Sequence, residues 1–240
     1  MAGHSHWAGI KHKKGRQDKQ RANLFSKLSR EITVAAKLGS KDPETNPRLR
    51  SAIQNAKHSN MPKDNIERAI DKSEISINSN FQNLRYEGYG PFNVALIIET
   101  LTDNKNRSAS SIRTVLNKNG GRLGENGSTS HLFTNCGVIV IEKKLPEEEI
   151  IEIAINAGAL DCKNLKNHNQ IITKKEDFYK VKNLIERKVD NIISSGIEWI
   201  PRNIISLKIE QESKIIDILD TLDEIEDVQK IFTNCKLDIE

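Results

Sequence analysis

The spacing of apolar residues changes period once along this chain, near residue 83, and that change limits what the chain can fold into. Before it, Leu24, Leu28, Ile32 and Ala35 recur at helical intervals, as do Leu49, Ile53 and Ala56, and then Ile66, Ala69 and Ile70. Gly39 is expected as the residue closing the first helix, and Asn46 as the N-cap of a second that opens with Pro47. Pro62 opens the third. Residues 1–75 are therefore expected to form a basic arm and a three-helix bundle, with the polar stretch 73–83 as a linker.

Beyond that point short apolar runs alternate with helical patterns. A strand is expected at 94–98, a helix at 108–118 closed by Gly120-Gly121, and a strand at 128–133. Then come a strand at 138–141, a helix at 147–157, strands at 161–164 and 170–173, a helix at 177–194 and a strand at 197–200. That order, β-α-β-β-α-β, is ferredoxin-like. A strand at 204–209, a helix at 212–222 and a strand at 228–232 follow. The fold class is α+β: the helical bundle, then two α/β domains. In one layout the ferredoxin-like block 138–202 is inserted into a second domain made of 84–137 plus 203–240; a linear three-domain order is the alternative. Residues 85–93 are read as a loop. The tetrapeptide Phe133-Thr-Asn-Cys136 recurs as Phe232-Thr-Asn-Cys235, too short a match to imply a repeat.

Charge is distributed unevenly. Residues 1–72 carry 16 Lys and Arg against 7 Asp and Glu, whereas the remainder is net acidic. The first 41 residues hold 10 basic and 2 acidic side chains, plus His4, His6 and His12. Such a gradient either keeps the protein soluble or attracts a polyanion. Lys11, Lys13, Lys14, Arg16, Lys19 and Arg21 place six cations in eleven residues, with Lys27 and Arg30 continuing along the next helix. These eight are the candidate nucleic-acid-binding residues, with Arg85, Tyr86 and Tyr89 as a candidate second contact loop. DNA and ribosomal RNA both fit, because phosphate contacts carry no sequence information. Trp7 is placed either to stack on a base or to anchor the arm.

Other chemistry finds little support. No apolar run reaches the length of a membrane span, and no secretory signal precedes the basic start. The three cysteines, Cys136, Cys162 and Cys235, have no metal spacing and read as reduced cytosolic thiols. Gly88-Tyr-Gly90-Pro-Phe-Asn93 lacks the third glycine of a dinucleotide fingerprint and precedes a strand. His4 and His6 lack further ligands nearby, and Glu99, Asp103 and Glu125 lack the spacing of a nuclease carboxylate cluster. The strand at 137–142 lacks the aromatics of an RNA-recognition platform. In the helix after Pro62, Lys63, Arg68 and Lys72 are balanced by Asp64, Glu67 and Asp71, a poor composition for a recognition helix. No catalytic residue, metal, cofactor, small-molecule substrate or membrane partner is expected.

Several motifs together resemble the YebC/PmpR family: Ala2-Gly-His-Ser-His-Trp-Ala-Gly-Ile-Lys-His-Lys-Lys14, the stretch 25–36 beginning Phe25-Ser-Lys-Leu, Asn46-Pro-Arg-Leu-Arg50 and Asn60-Met-Pro-Lys-Asp-Asn65. Arg85-Tyr-Glu-Gly-Tyr-Gly-Pro91, Leu101-Thr-Asp-Asn-Lys-Asn-Arg107 and Gly120-Gly-Arg-Leu-Gly124 extend the likeness over the whole chain. The resemblance implies three domains and a cytoplasmic, non-enzymatic, DNA-binding transcriptional regulator. The family is also similar to the mitochondrial translational activator of cytochrome oxidase subunit one, and some members are held to help ribosomes through proline runs. His6, Gly9 and Phe92-Asn93 depart from its usual pattern.

Overall fold

A computed structural model describes residues 17–75 and 81–237. Three helices come first: α1 (Gln17–Leu38), α2 (Pro47–His58) and α3 (Lys63–Ile75). Their shared core is Ile32, Ala35, Leu49, Ala52, Ala56, Met61, Ile66 and Ala69, in which large aliphatic side chains alternate with alanines. Leu24, expected on the buried stripe, is 42% exposed, because the bundle covers only the later part of α1.

Asn46 ties two of these helices together. Its Oδ1 accepts the Leu49 N–H at 3.1 Å, capping α2, while its Nδ2 donates to the Ala35 and Ser40 carbonyls at 2.8 and 2.7 Å. Gly39 is needed for space: a methyl group there would sit 2.6 Å from Asn46 Nδ2. It is not among the residues with positive φ, so the expected left-handed closure is replaced by this amide bridge.

The remaining chain forms two four-stranded antiparallel sheets. The first contains β1 (Gln82–Tyr89), β2 (Ala95–Thr102), β3 (Arg122–Leu123) and β8 (Val228–Thr233), in the order β3-β1-β2-β8. Helices α4 (Lys105–Lys118) and α7 (Ile209–Asp223) cover one face, packing Ile112, Leu116, Ile215 and Leu219 on Leu96, Ile98 and Ile231. The second sheet contains β4 (Phe133–Glu142), β5 (Asp161–Asn164), β6 (His168–Lys174) and β7 (Ile192–Pro201), in the order β5-β6-β4-β7. With α5 (Glu147–Ala157) and α6 (Phe178–Glu186) on one face, this is the ferredoxin-like β-α-β-β-α-β arrangement. It lies in sequence between β3 and β8, which belong to the same other sheet, so it is inserted.

Several expectations are corrected. Arg85, Tyr86 and Tyr89 lie on strand β1, not in a loop. Polar side chains disguise that strand: Tyr86 packs towards the helices, while Tyr89 packs with Ala95, Ile97, Phe133 and Phe232 on the opposite face. Residues 128–133 form no strand before Phe133; Ser130–Leu132 is a 3-10 turn. The Glu87 carboxylate accepts the Thr129 and Ser130 N–H groups at 2.8 Å and holds that turn. At 204–209 only Ile205 pairs, in one bridge with Cys235, and α7 starts at Ile209. The helix expected to reach 194 ends at Glu186, and the β-branched pair Ile192-Ile193 opens β7 instead. The repeated tetrapeptides both begin at a buried phenylalanine, and the two rings share one apolar cluster.

Candidate nucleic-acid interface

Of the eight cations singled out in the sequence, Lys11, Lys13, Lys14 and Arg16 lie outside the described residues, as do His4, His6 and Trp7. Lys19 falls on the first turns of α1. Arg21 is exposed, its guanidinium 5.3 Å from the Phe25 ring centroid.

Lys27 and Arg30 are the correction within this set. Lys27 is 7% exposed, and its Nζ is 2.7 Å from Asp223 Oδ1 and donates to the Asp223 carbonyl at 2.8 Å. Asn23 Nδ2 donates to the same carbonyl at 2.8 Å. Arg30 meets Asp227 Oδ1 at 3.0 Å, the Leu101 carbonyl at 3.1 Å and the Glu226 carboxylate. Both charges are thus spent on joining α1 to the end of α7 and the turn before β8. Spacing along a helix could not reveal this, because the partners lie about two hundred residues away in sequence.

Asp227 is the centre of that junction. It is 3% exposed; Ser108 Oγ donates to it at 2.8 Å, Thr102 Oγ1 at 3.1 Å and Arg107 Nη2 at 2.9 Å. Burial alone would raise its pKa, but these hydrogen bonds and the Arg107 charge hold it below the ordinary aspartate value. A second junction joins α2 to the ferredoxin-like domain. Asn55 Nδ2 donates to the Ser195 carbonyl at 3.1 Å and its Oδ1 accepts the Ser195 N–H at 3.4 Å, so one carboxamide occupies the open edge of β7. Lys182, 1% exposed, donates to Ser51 Oγ at 3.0 Å and pairs with Glu186 at 3.0 Å. Burial pulls its pKa below the ordinary lysine value, with Glu186 opposing the shift.

The residues of the candidate second contact have structural partners. The Arg85 guanidinium lies 4.8 Å from the Trp199 ring centroid and 3.0 Å from Glu87 Oε1. Tyr86 donates its hydroxyl to the Lys105 carbonyl at 2.8 Å, and Tyr89 donates to the Ser128 carbonyl at 2.9 Å. Burial would raise the Glu87 pKa, yet the Thr129 and Ser130 N–H groups and Arg85 hold it below the usual glutamate value.

On α3, Lys63 pairs with Glu67 at 3.3 Å and Arg68 Nε donates to the Asp64 backbone carbonyl at 3.1 Å, and along the helix Lys63, Arg68 and Lys72 are matched by Asp64, Glu67, Asp71 and Glu74. Glu99, Asp103 and Glu125 serve separate ends. Trp199 Nε1 donates to Glu99 at 2.9 Å, Asp103 pairs with Arg107 at 2.9 Å, and Glu125 is exposed. Sequence reasoning overlooked a further basic stretch. From Asn104 to Gly124 the chain carries Lys105, Arg107, Arg113, Lys118 and Arg122 and no carboxylate. A charge count over that window would have found it.

Comparison with known proteins identifies this architecture. Residues 5–75 match the model of the TACO1/YebC protein N-terminal domain, and residues 81–235 match that of the TACO1/YebC second and third domain. A protein of Pelagibacter ubique named as a probable transcriptional regulatory protein is 51% identical over 98% of both chains. One of Natranaerobius thermophilus with the same name is 44% identical over 99% of this chain and 97% of its own. The crystal structure of a conserved hypothetical protein from Aquifex aeolicus superposes with a TM-score of 0.83 at 44% identity, covering 98% of each chain. A three-part regulatory architecture of helical bundle, split sheet and inserted ferredoxin-like domain is thereby defined. The chain belongs to the TACO1/YebC family.

Proposed function

We propose that this regulator is a non-catalytic, cytoplasmic DNA-binding protein that acts on transcription by gripping phosphates with its amino-terminal cations. The observation that carries this reading is the gathering of 10 basic against 2 acidic side chains in the first 41 residues. With Lys27 and Arg30 committed internally, the phosphate-facing set contracts to Lys11, Lys13, Lys14, Arg16, Lys19 and Arg21. Cations of this kind displace condensed counterions, so binding weakens steeply with salt. The relatives' names as transcriptional regulators support DNA as the target. A mobility-shift titration against promoter fragments tests it: a specific complex should survive excess nonspecific duplex, and its absence contradicts DNA-directed regulation.

One observation favours a second reading, docking on ribosomal RNA. Helix α3 carries four carboxylates against three cations, which leaves it poorly equipped to read a major groove. Shape- and charge-based docking needs no such helix. On this reading the protein sediments with ribosomal particles at low salt and leaves them at high salt; absence from ribosomal fractions at low salt contradicts it.

A further inference from the structure

We infer that the corner of the first sheet formed by Phe92, Lys118 and Arg122 is a second nucleic-acid contact, one that stacks on an unpaired base. The inference rests on the nucleic-acid reading above and adds a surface remote in sequence from the arm.

Three observations converge there. Phe92 lies in the turn between β1 and β2 at φ 61° and ψ 23°, and Asn93 follows at φ 57°. Both occupy the left-handed region, which asparagine tolerates and glycine accepts readily but which a phenylalanine disfavours. Phe92 is 38% exposed and belongs to none of the apolar clusters among the described residues, so core packing does not account for the strained backbone. Second, the Gly120–Arg122 turn abuts this tip. Tyr89 and Arg122 are register partners, and a methyl group on Gly121 would lie 2.5 Å from the Tyr89 carbonyl and 3.1 Å from Gly90 Cα. Third, the segment that carries this turn is basic. Arg122 is exposed, with its guanidinium 4.8 Å from the Tyr89 ring centroid. Neither Arg122 nor Lys118 enters an ion pair among the described residues, and no carboxylate occurs from Asn104 to Gly124.

An exposed aromatic on one turn, a stacked guanidinium on the turn that abuts it and an exposed ammonium at the end of α4 supply the chemistry that holds single strands: the ring takes a base face, and the cations take nearby phosphates. A duplex offers no free base face, so the contact discriminates against it.

The test uses full-length protein, a labelled unstructured RNA oligonucleotide and a duplex of the same sequence. Phe92→Gly should bind the single strand about tenfold more weakly, bind the duplex unchanged, and unfold at the same or a higher temperature, since glycine relieves the strain. Arg122→Ala should weaken single-strand binding similarly. Wild-type affinity in F92G overturns the inference, and so does equal loss on both probes or a lowered unfolding temperature. If the unaltered protein binds neither probe, the nucleic-acid reading itself fails, a result distinct from failure of this corner alone.

Discussion

At the residue scale, buried charge decides more than composition does. Asp227 receives four side chains, two of them arginines from different domains, in a position almost closed to water. Removing it strips Ser108 and Thr102 of their buried acceptor and leaves Arg30 only the exposed Glu226 carboxylate, so Asp227→Ala should destabilise the protein by about 3 kcal/mol, read by chemical denaturation. Its folded-state pKa lies below the ordinary value of 3.8, and that of Glu87 lies below 4.5. Their stabilisation is therefore complete above those values and lost as pH falls through and below them. Acid titration of the unfolding free energy should show a steeper loss in the wild type than in Asp227→Asn, and parallel curves would refute that origin. Gly137 is also sterically fixed, because a methyl group there would lie 2.3 Å from Thr173 Oγ1 and 2.5 Å from a Phe178 ring carbon. Gly137→Ala should lower stability by about 1–3 kcal/mol through displacement of α6.

At the element scale, the bundle was largely legible because its signals are local. The cap at Asn46 and proline at the start of α2 need no knowledge of distant residues. What spacing could not convey is that the Asn46 amide also closes α1. Asn46→Ala should therefore cost about 2 kcal/mol, more than an ordinary cap. Asn46→Asp should do little better, since it keeps the acceptor and sets a carboxylate against two carbonyls. Thermal melts of the two variants check this. The strands were less legible where polar residues line a buried surface. Arg85, Glu87 and Tyr89 point into the contact with Trp199 and the 128–132 turn, and alternation of polar with polar leaves no pattern to read. Residues 128–133 were misread for another reason: a carboxylate about forty residues away accepts their N–H groups and holds a turn that local sequence does not announce.

For the molecule as a whole, ties among the described residues run from α1 to the end of α7 and from α2 to α6 and β7. The fold class was legible from element order, whereas the choice between an inserted and a linear layout needed the pairing of β8 with β2. The candidate site was legible only as a gradient of charge. Within α1 that gradient overcounts, because cations that build a junction and cations that meet solvent look alike in sequence. The two kinds should separate by mutation. Lys27→Ala should lower the unfolding temperature and increase hydrogen exchange in α1 while leaving the salt dependence of nucleic-acid binding unaltered. The most direct measurement is the affinity for duplex DNA and for ribosomal particles across a salt series, comparing wild type with Lys13→Ala/Lys14→Ala/Arg16→Ala. The account predicts unchanged stability, weaker binding, and a salt slope on duplex DNA shallower by about 2–3 units. Binding of the triple variant with wild-type affinity and slope would contradict it.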